Sequence, residues 1–224
     1  MTIPNVITID GPAGAGKSTL GELLAQQLGY MYFDTGVMYR ALTLAVLRES
    51  IDPNASDAVA ALAERLHIEV QPPTVDDGRQ YTVLIDGEDV TWHLRDPEVE
   101  KHVSAAARHP DVRNVMRARQ REIGARGHVV MVGRDIGNVV MPDAELKIFL
   151  KASLEERARR RADELHTRGQ HVAPDALRAD MQRRDMLDQH VMIPAPDAVV
   201  LDCDHLSPEQ EVAFVTSLLE KRVR

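Results

Sequence analysis

Two rhythms of apolar residues run along this chain. Short runs rich in Val, Ile and Leu occur at 6–9, 129–132, 146–150 and 198–201, and each reads as a buried strand. Between them, apolar residues recur at helical spacing. Leu20, Leu23, Leu24 and Leu28 mark a helix over 17–28 that Gly29 stops. A short apolar run at 30–33 leads into a helix that continues to about Glu49, and 57–66 is also helical. Helices follow at 96–107 and 111–124, with Pro110 between them as breaker and helix start. Ser153-Leu154-Glu155-Glu156 is a capping box that opens a helix ending near Gly169. Residues 175–188 are helical, and Ser207-Pro208-Glu209-Gln210 caps a last helix.

One stretch breaks this alternation. Ile68-Glu69-Val70-Gln71 alternates in polarity, and Tyr81-Thr82-Val83-Leu84-Ile85 is built of strand formers. Pro72-Pro73, Asp76-Asp77-Gly78 and Asp86-Gly87 supply turns. We read 67–92 as a small inserted β-element. The rest, strands separated by helices, predicts an α/β fold whose parallel sheet is covered on both faces.

The chemistry begins at Gly11-Pro12-Ala13-Gly14-Ala15-Gly16-Lys17-Ser18-Thr19, between the first strand and the first helix. It fits G-x-x-x-x-G-K-[ST], a loop that cradles phosphates with backbone N–H groups at a helix N-terminus. The motif places Lys17 on the β- and γ-phosphates of a nucleotide and the Ser18 hydroxyl on Mg²⁺. Strand, glycine loop and helix stand in the order this chemistry needs.

Composition narrows the field. At 224 residues, 44% hydrophobic and 28% charged, the chain suits one soluble domain carrying small insertions. A net charge of −8 argues against general nucleic-acid binding. Cys203 is the single cysteine, so no intrachain disulfide forms, and we read it as a small buried residue near a strand end. No signal-peptide pattern and no membrane-length apolar run is evident, so the expectation is a cytoplasmic protein.

A phosphate loop does not name a reaction. No N-K-x-D guanine-reading motif is present, and the length leaves little room for the extra domains of large ATPases. Arginine is abundant instead. Arg157, Arg159, Arg160 and Arg161 crowd one helix, Arg183 and Arg184 the next, and Arg40, Arg113 and Arg134 lie near glycines or helix starts. Phosphoryl transfer between two anions calls for such fixed, forked positive charge. The plainer alternative for 157–161 is a solvated face, with Glu155 to Arg159 and Glu156 to Arg160 as i,i+4 pairs.

With Gly11–Thr19, two further segments make the chain resemble the bacterial cytidylate kinase family. They are Asp34-Thr35-Gly36-Val37-Met38-Tyr39-Arg40, and Gly133-Arg134-Asp135-Ile136-Gly137 followed by Pro142-Asp143-Ala144. The resemblance runs nearly the whole chain. It implies a P-loop NTPase fold with a five-stranded parallel sheet, an NMP-binding insert at about 67–103, a lid at about 151–190, and a core of 1–66, 104–150 and 191–224. It implies a monomer that phosphorylates CMP and dCMP with ATP and Mg²⁺, without nucleic-acid or membrane partners. By the same resemblance, Arg40 and Arg134 clamp the acceptor phosphate, and Thr35 meets the same nucleotide. Ser104, Arg113 and Asp135 read the cytosine. Arg184 and Asp188 hold the sugar hydroxyls, and Arg157 and Arg161 act on the transferring phosphoryl. Aspartate suits the N4 donor of cytosine and arginine its N3 and O2 acceptors, an order that uracil reverses. Asp34 either caps the following helix or lies near the metal. A kinase for another small acceptor, such as UMP or AMP, and a nucleotide-binding switch without catalysis both stay open.

One departure stands out. Where the family shows an arginine after Asp188, this chain has Gln189-His190-Val191-Met192-Ile193-Pro194, in a shortened loop. His190 is the nearest substitute, and histidine carries only part of a charge at neutral pH. If it grips the acceptor, acceptor KM rises as pH climbs through the imidazole range. His190→Ala should flatten that profile, and an unchanged profile in the variant excludes the role.

Overall fold

The computed structural model describes residues 3–223 except 168, 170 and 171. In chain order it contains strand β1 (Val6–Asp10), helix α1 (Lys17–Leu28), β2 (Met31–Asp34), α2 (Gly36–Arg48) and α3 (Ser56–Arg65). Then come β3 (Ile68–Gln71), β4 (Thr82–Ile85), β5 (Glu88–Asp89), α4 (Pro97–Ala107) and α5 (Pro110–Gly124). The chain continues through β6 (Val129–Gly133), β7 (Leu146–Lys151), α6 (Leu154–Thr167), α7 (Pro174–Asp188), β8 (Val199–Asp202) and α8 (Pro208–Val223).

Five strands form a parallel sheet in the order β2-β6-β1-β7-β8. Ile7 lies opposite Leu146 and Ile9 opposite Ile148, and on the next strand Ile148 faces Val199 and Leu150 faces Leu201. All five residues of β1 are buried, as expected of a central parallel strand covered on both faces. The inserted β-element is a separate antiparallel sheet, β3-β4-β5, with Ile68 opposite Ile85 and Val70 opposite Val83. Asp86 and Gly87 both take positive φ, 50° and 87°, between β4 and β5, as a tight two-residue hairpin turn requires.

The chain divides into two compact units, one running to Tyr30 and resuming at Val130, the other spanning Met31–Val129. The first buries Ile7, Ile9, Leu20, Leu24, Met131 and Leu150. Within it, α6 and α7 share a small core of Leu165, Leu177 and Met181, extended by Leu154, Ala158 and Ala162. The second unit buries Phe33, Met38, Leu42, Leu62, Leu94 and Met116, where α2 meets α4 and α3 meets α5. Each such side chain contributes about 1.5–3 kcal/mol by leaving water. Cys203 is fully buried just beyond β8, and burial pushes its thiol up to about 12, which fits the reading of it as packing.

Several expectations need revision. The run at 30–33, treated only as a lead-in, is the strand β2. Helix α5 begins on Pro110 as read, whereas α4 begins on Pro97, one residue later than the sequence reading, and α7 on Pro174, one residue earlier. Proline fits there because its missing N–H has no intrahelical partner in the first turn. Residues Thr91–Arg95 form a 3₁₀ turn and Ile136–Val140 a π-helical turn, neither of them anticipated. The Ser153 cap is present, its hydroxyl accepting the Glu156 N–H at 3.2 Å. The Glu155–Arg159 pair is not formed. Arg159 binds Glu156 and Asp163, while Glu155 reaches across to Arg178 of α7 at 2.5 Å. Only Glu156–Arg160 is as expected.

The phosphate loop leaves β1 through a tight contact. A Cβ on Gly11 would lie 2.5 Å from the Leu150 carbonyl oxygen on β7, and Gly11 holds φ 149°. Gly11→Ala therefore has to strain its backbone and push β1 from β7. We expect about 1–3 kcal/mol of lost stability, read as a lower urea midpoint. An unchanged midpoint would show that the two strands yield freely.

Candidate active site

In the first unit the phosphate loop follows β1, the Arg134-Asp135 turn follows β6, and α6 and α7 follow β7. Ligand sites of open α/β sheets gather at the carboxyl ends of strands, where these segments begin. Ser18 and Thr19 are exposed in the first turn of α1, which holds no acidic residue, so its positive dipole end is open to an anion. The Lys17 ammonium donates to the Pro12 carbonyl at 2.7 Å. From α6, Arg157 donates to the Ala13 carbonyl at 3.2 Å and Arg160 to the Ala15 carbonyl at 3.3 Å.

The arginines of α6 divide by burial. Arg157 is buried, and its guanidinium also grips Asp185 of α7 through two bonds of 3.1 and 2.6 Å. Arg161 pairs with Glu164 at 2.6 Å and remains partly exposed. Arg184 is half-buried on α7, and His190 is exposed beyond it. Arg134 pairs with Asp188 at the end of α7, which brings together two residues implicated in acceptor binding.

The sequence reading missed Asp10. This residue ends β1, is buried, and spends both carboxylate oxygens on backbone donors, Ile136 N–H at 2.8 Å and Gly137 N–H at 2.7 Å. It thereby ties the strand entering the phosphate loop to the turn that carries Arg134 and Asp135. Burial is the main cause of a rise in its pKa from 3.8 to about 6. The two N–H bonds and Lys17 oppose the rise, and Asp135, itself buried, adds to it. The signal was available, a carboxylate closing an otherwise apolar strand one residue before Gly11.

The second unit gathers the other candidates on three helices. Thr35 is buried just before α2, and Asp34 accepts the Gly36 N–H at 2.9 Å, which supports the capping half of its reading. Arg40, one turn on, binds Glu100 of α4 at 2.8 Å. Burial works against the Arg40 charge, but Glu100 and Asp34 outweigh it and the pKa is raised. A Cβ on Gly36 would meet the Arg40 guanidinium at 2.8 Å and the Asp34 carboxylate at 3.0 Å, so glycine leaves room for both charges. Ser104 is exposed on α4, one turn beyond Glu100. Arg113, in the first turn of α5, places its guanidinium 5.7 Å from the Tyr39 ring centre, so the ring face partly satisfies a cation at an unfavourable helix end. Glu100 and Asp185 also went unnoticed in the sequence, because each acquires its arginine from a distant helix.

Among the described residues no group of three or more His, Cys, Asp or Glu could cage a metal. Ser18 is an exposed hydroxyl beside Lys17, which suits an ion that draws most of its oxygens from phosphates and water, as Mg²⁺ does.

The profile of the family described as Cytidylate kinase matches residues 7–221. A cytidylate kinase of Roseiflexus castenholzii is 62% identical over 223 residues, covering 99% of this chain and 96% of that protein. One from Chloroflexus aggregans is 60% identical over 215 residues, covering 96% and 94%. Among solved structures, a shikimate kinase from Bacteroides thetaiotaomicron superimposes with a TM-score of 0.50 at 15% identity, covering 96% of this chain and 98% of that one. The fold is thus that of a P-loop kinase. The chain belongs to the cytidylate kinase family.

The Asp10 geometry generates a pH test. Its pKa is higher in the folded protein than the ordinary 3.8, so between about pH 4 and 6 the folded state holds a proton that the unfolded chain releases. This group therefore lowers stability as pH rises through that window. Asp10→Asn cannot titrate. The wild-type urea stability minus that of the variant should fall from pH 4 to 6 and level off near neutrality. A flat difference would show that Asp10 does not titrate there.

Proposed function

We propose that the protein transfers the terminal phosphoryl group of ATP, with Mg²⁺, to CMP and dCMP. The observation that carries this reading is the Arg134-Asp135 turn, a paired cation and acceptor whose backbone Asp10 clamps to the phosphate-loop strand. Family membership supplies the acceptor, a cytidine monophosphate.

In this reading the residues 11–19 wrap the donor phosphates, and Lys17 leaves the Pro12 carbonyl for the β- and γ-oxygens. Ser18 would hold Mg²⁺, which would supply charge neutralisation for the phosphates. Arg40 and Arg134 take the acceptor phosphate, with Thr35 beside it. Asp135 accepts from the cytosine amino group, and Arg113 and Ser104 complete the base contacts. Arg184 and Asp188 hold the sugar. Arg157 and Arg161 belong to the lid at 151–190 and face the transferring group on closure. Catalysis is positioning and charge stabilisation in a site that excludes water, with no dedicated base. The protein acts as a cytoplasmic monomer. The second reading, a kinase for UMP or AMP, is disfavoured by the donor and acceptor order of Asp135 and Arg113.

ADP formation from Mg·ATP, with CMP, dCMP, UMP or AMP offered separately, tests this directly. Turnover should be fast with CMP and dCMP and at least about 10²-fold slower with the others, as expected when a buried polar site is mispaired. Lys17→Ala should lower turnover by at least about 10²-fold, the scale for losing a charge aimed at the transition state. Equal rates with all four acceptors would overturn the cytosine assignment, and full activity in Lys17→Ala the loop assignment.

A further inference from the structure

Arg160 was the bland member of its run, paired one turn back to Glu156. Its surroundings are richer than that. Its Nε donates to Glu156 at 2.8 Å, and Nη1 donates to the Ala15 carbonyl of the phosphate loop at 3.3 Å. Nη2 donates to the Cys203 carbonyl at 2.5 Å and the Leu206 carbonyl at 3.4 Å, on the turn between β8 and α8. Glu211 of α8 stands 3.6 Å from Nη1 and is 2% exposed. Every nitrogen of the guanidinium is engaged, and four of its partners are protein oxygens outside its own helix, of which only Ala15 belongs to the segment assigned to the nucleotide.

The consequence lies in the geometry of the peptide. A trans peptide points its C=O and the following N–H in opposite directions. Holding the Ala15 carbonyl toward α6 turns the Gly16 N–H the other way. The same holds for the Ala13 carbonyl on Arg157 and the Gly14 N–H. Lys17 holds the Pro12 carbonyl, but its flexible ammonium is the group the loop reading sends to the phosphates. Arg160 is braced differently. Glu211 is buried against it, and burial raises the Glu211 pKa while Cys203 and Arg160 pull it back. A Cβ on Gly16 would meet Arg160 at 3.2 Å and Glu211 at 3.5 Å, so this ion pair lies directly behind the loop.

We infer that Arg160, braced by Glu211 and the Cys203 and Leu206 carbonyls, is a positioning residue that fixes the phosphate loop with its Gly16 amide toward the triphosphate. Arg160 does not touch the substrate. It removes the need to reorient the loop when the anion arrives, an ordering cost otherwise taken from binding. The inference rests on the phosphate-loop reading and adds to it the element that preorganises the loop.

The test is calorimetric binding of inorganic tripolyphosphate and of ATP to the full chain, with KM and kcat measured alongside. Arg160→Gln should weaken tripolyphosphate and ATP by a common factor of about 10, equivalent to one favourable amide contact. KM for CMP at saturating ATP should stay unchanged. Arg160→Lys keeps the charge but not the planar fork, so it should recover less than half of the lost affinity on a logarithmic scale. Full recovery in Arg160→Lys would reduce the role to bulk charge and overturn the proposal. So would wild-type affinity in Arg160→Gln, whatever its urea midpoint. Should that variant not fold, Glu211→Gln removes the brace while keeping its shape. It should weaken tripolyphosphate at least about 3-fold, about 0.6 kcal/mol, and unchanged affinity there overturns the proposal. Lys17→Ala separates the two readings. If wild-type protein binds no tripolyphosphate, or Lys17→Ala binds it normally, the phosphate-loop reading itself fails. If Lys17→Ala loses binding and Arg160→Gln retains it, only the present inference fails.

Discussion

A loop that collects backbone N–H groups around an anion must dispose of its carbonyls on the other side, and much of this protein's charge follows from that constraint. In the segment 11–19 three carbonyls rest on the cations Lys17, Arg157 and Arg160. Cations placed there need neutralising partners of their own, or the folded loop would carry unbalanced charge close to its backbone. Asp185 serves Arg157, and Glu156 and Glu211 serve Arg160. The helices after β7 thus do more than cover the sheet. Their small apolar core of Leu165, Leu177 and Met181 holds α6 and α7 together, so that Arg157 and Asp185 can meet.

The same economy governs the other candidate cations. Arg40 has Glu100, Arg134 has Asp188, and Arg161 has Glu164. An acidic total of 35 Asp and Glu against 27 Lys and Arg is therefore compatible with sites that bind anions. The acidic residues hold the basic ones in defined geometry, and the local field at a loop or helix start depends on that arrangement more than on the net charge. At Arg113 an aromatic face also contributes, the guanidinium lying 5.7 Å from the Tyr39 ring centre.

Asp10 links the two halves of the chemistry within its unit. Its oxygens receive two consecutive N–H groups from the turn after β6, so the Arg134-Asp135 backbone is set by the strand that launches the phosphate loop. That arrangement tolerates a desolvated carboxylate because two short bonds offset part of the burial penalty. The π-helical turn at Ile136–Val140 begins on the two N–H groups given to Asp10, which have no intrahelical acceptor.

What the sequence determined on its own is local. Strand–loop–helix order at 6–28, the caps at Ser153 and Ser207, the proline starts and the hairpin texture of 67–92 depend on neighbours a few residues apart, and such signals survive in a linear reading. The phosphate loop and the family's motif residues were legible for the same reason. The strand β2 was legible only as an apolar run, since four residues are too few to show a period. Tertiary structure decided which charges meet. Glu155 chose Arg178 over Arg159, Arg40 chose Glu100, and Arg160 became a brace for the loop, not a surface pair. These partners lie on separate elements, and ion-pair energy depends on distance and burial, which only packing supplies.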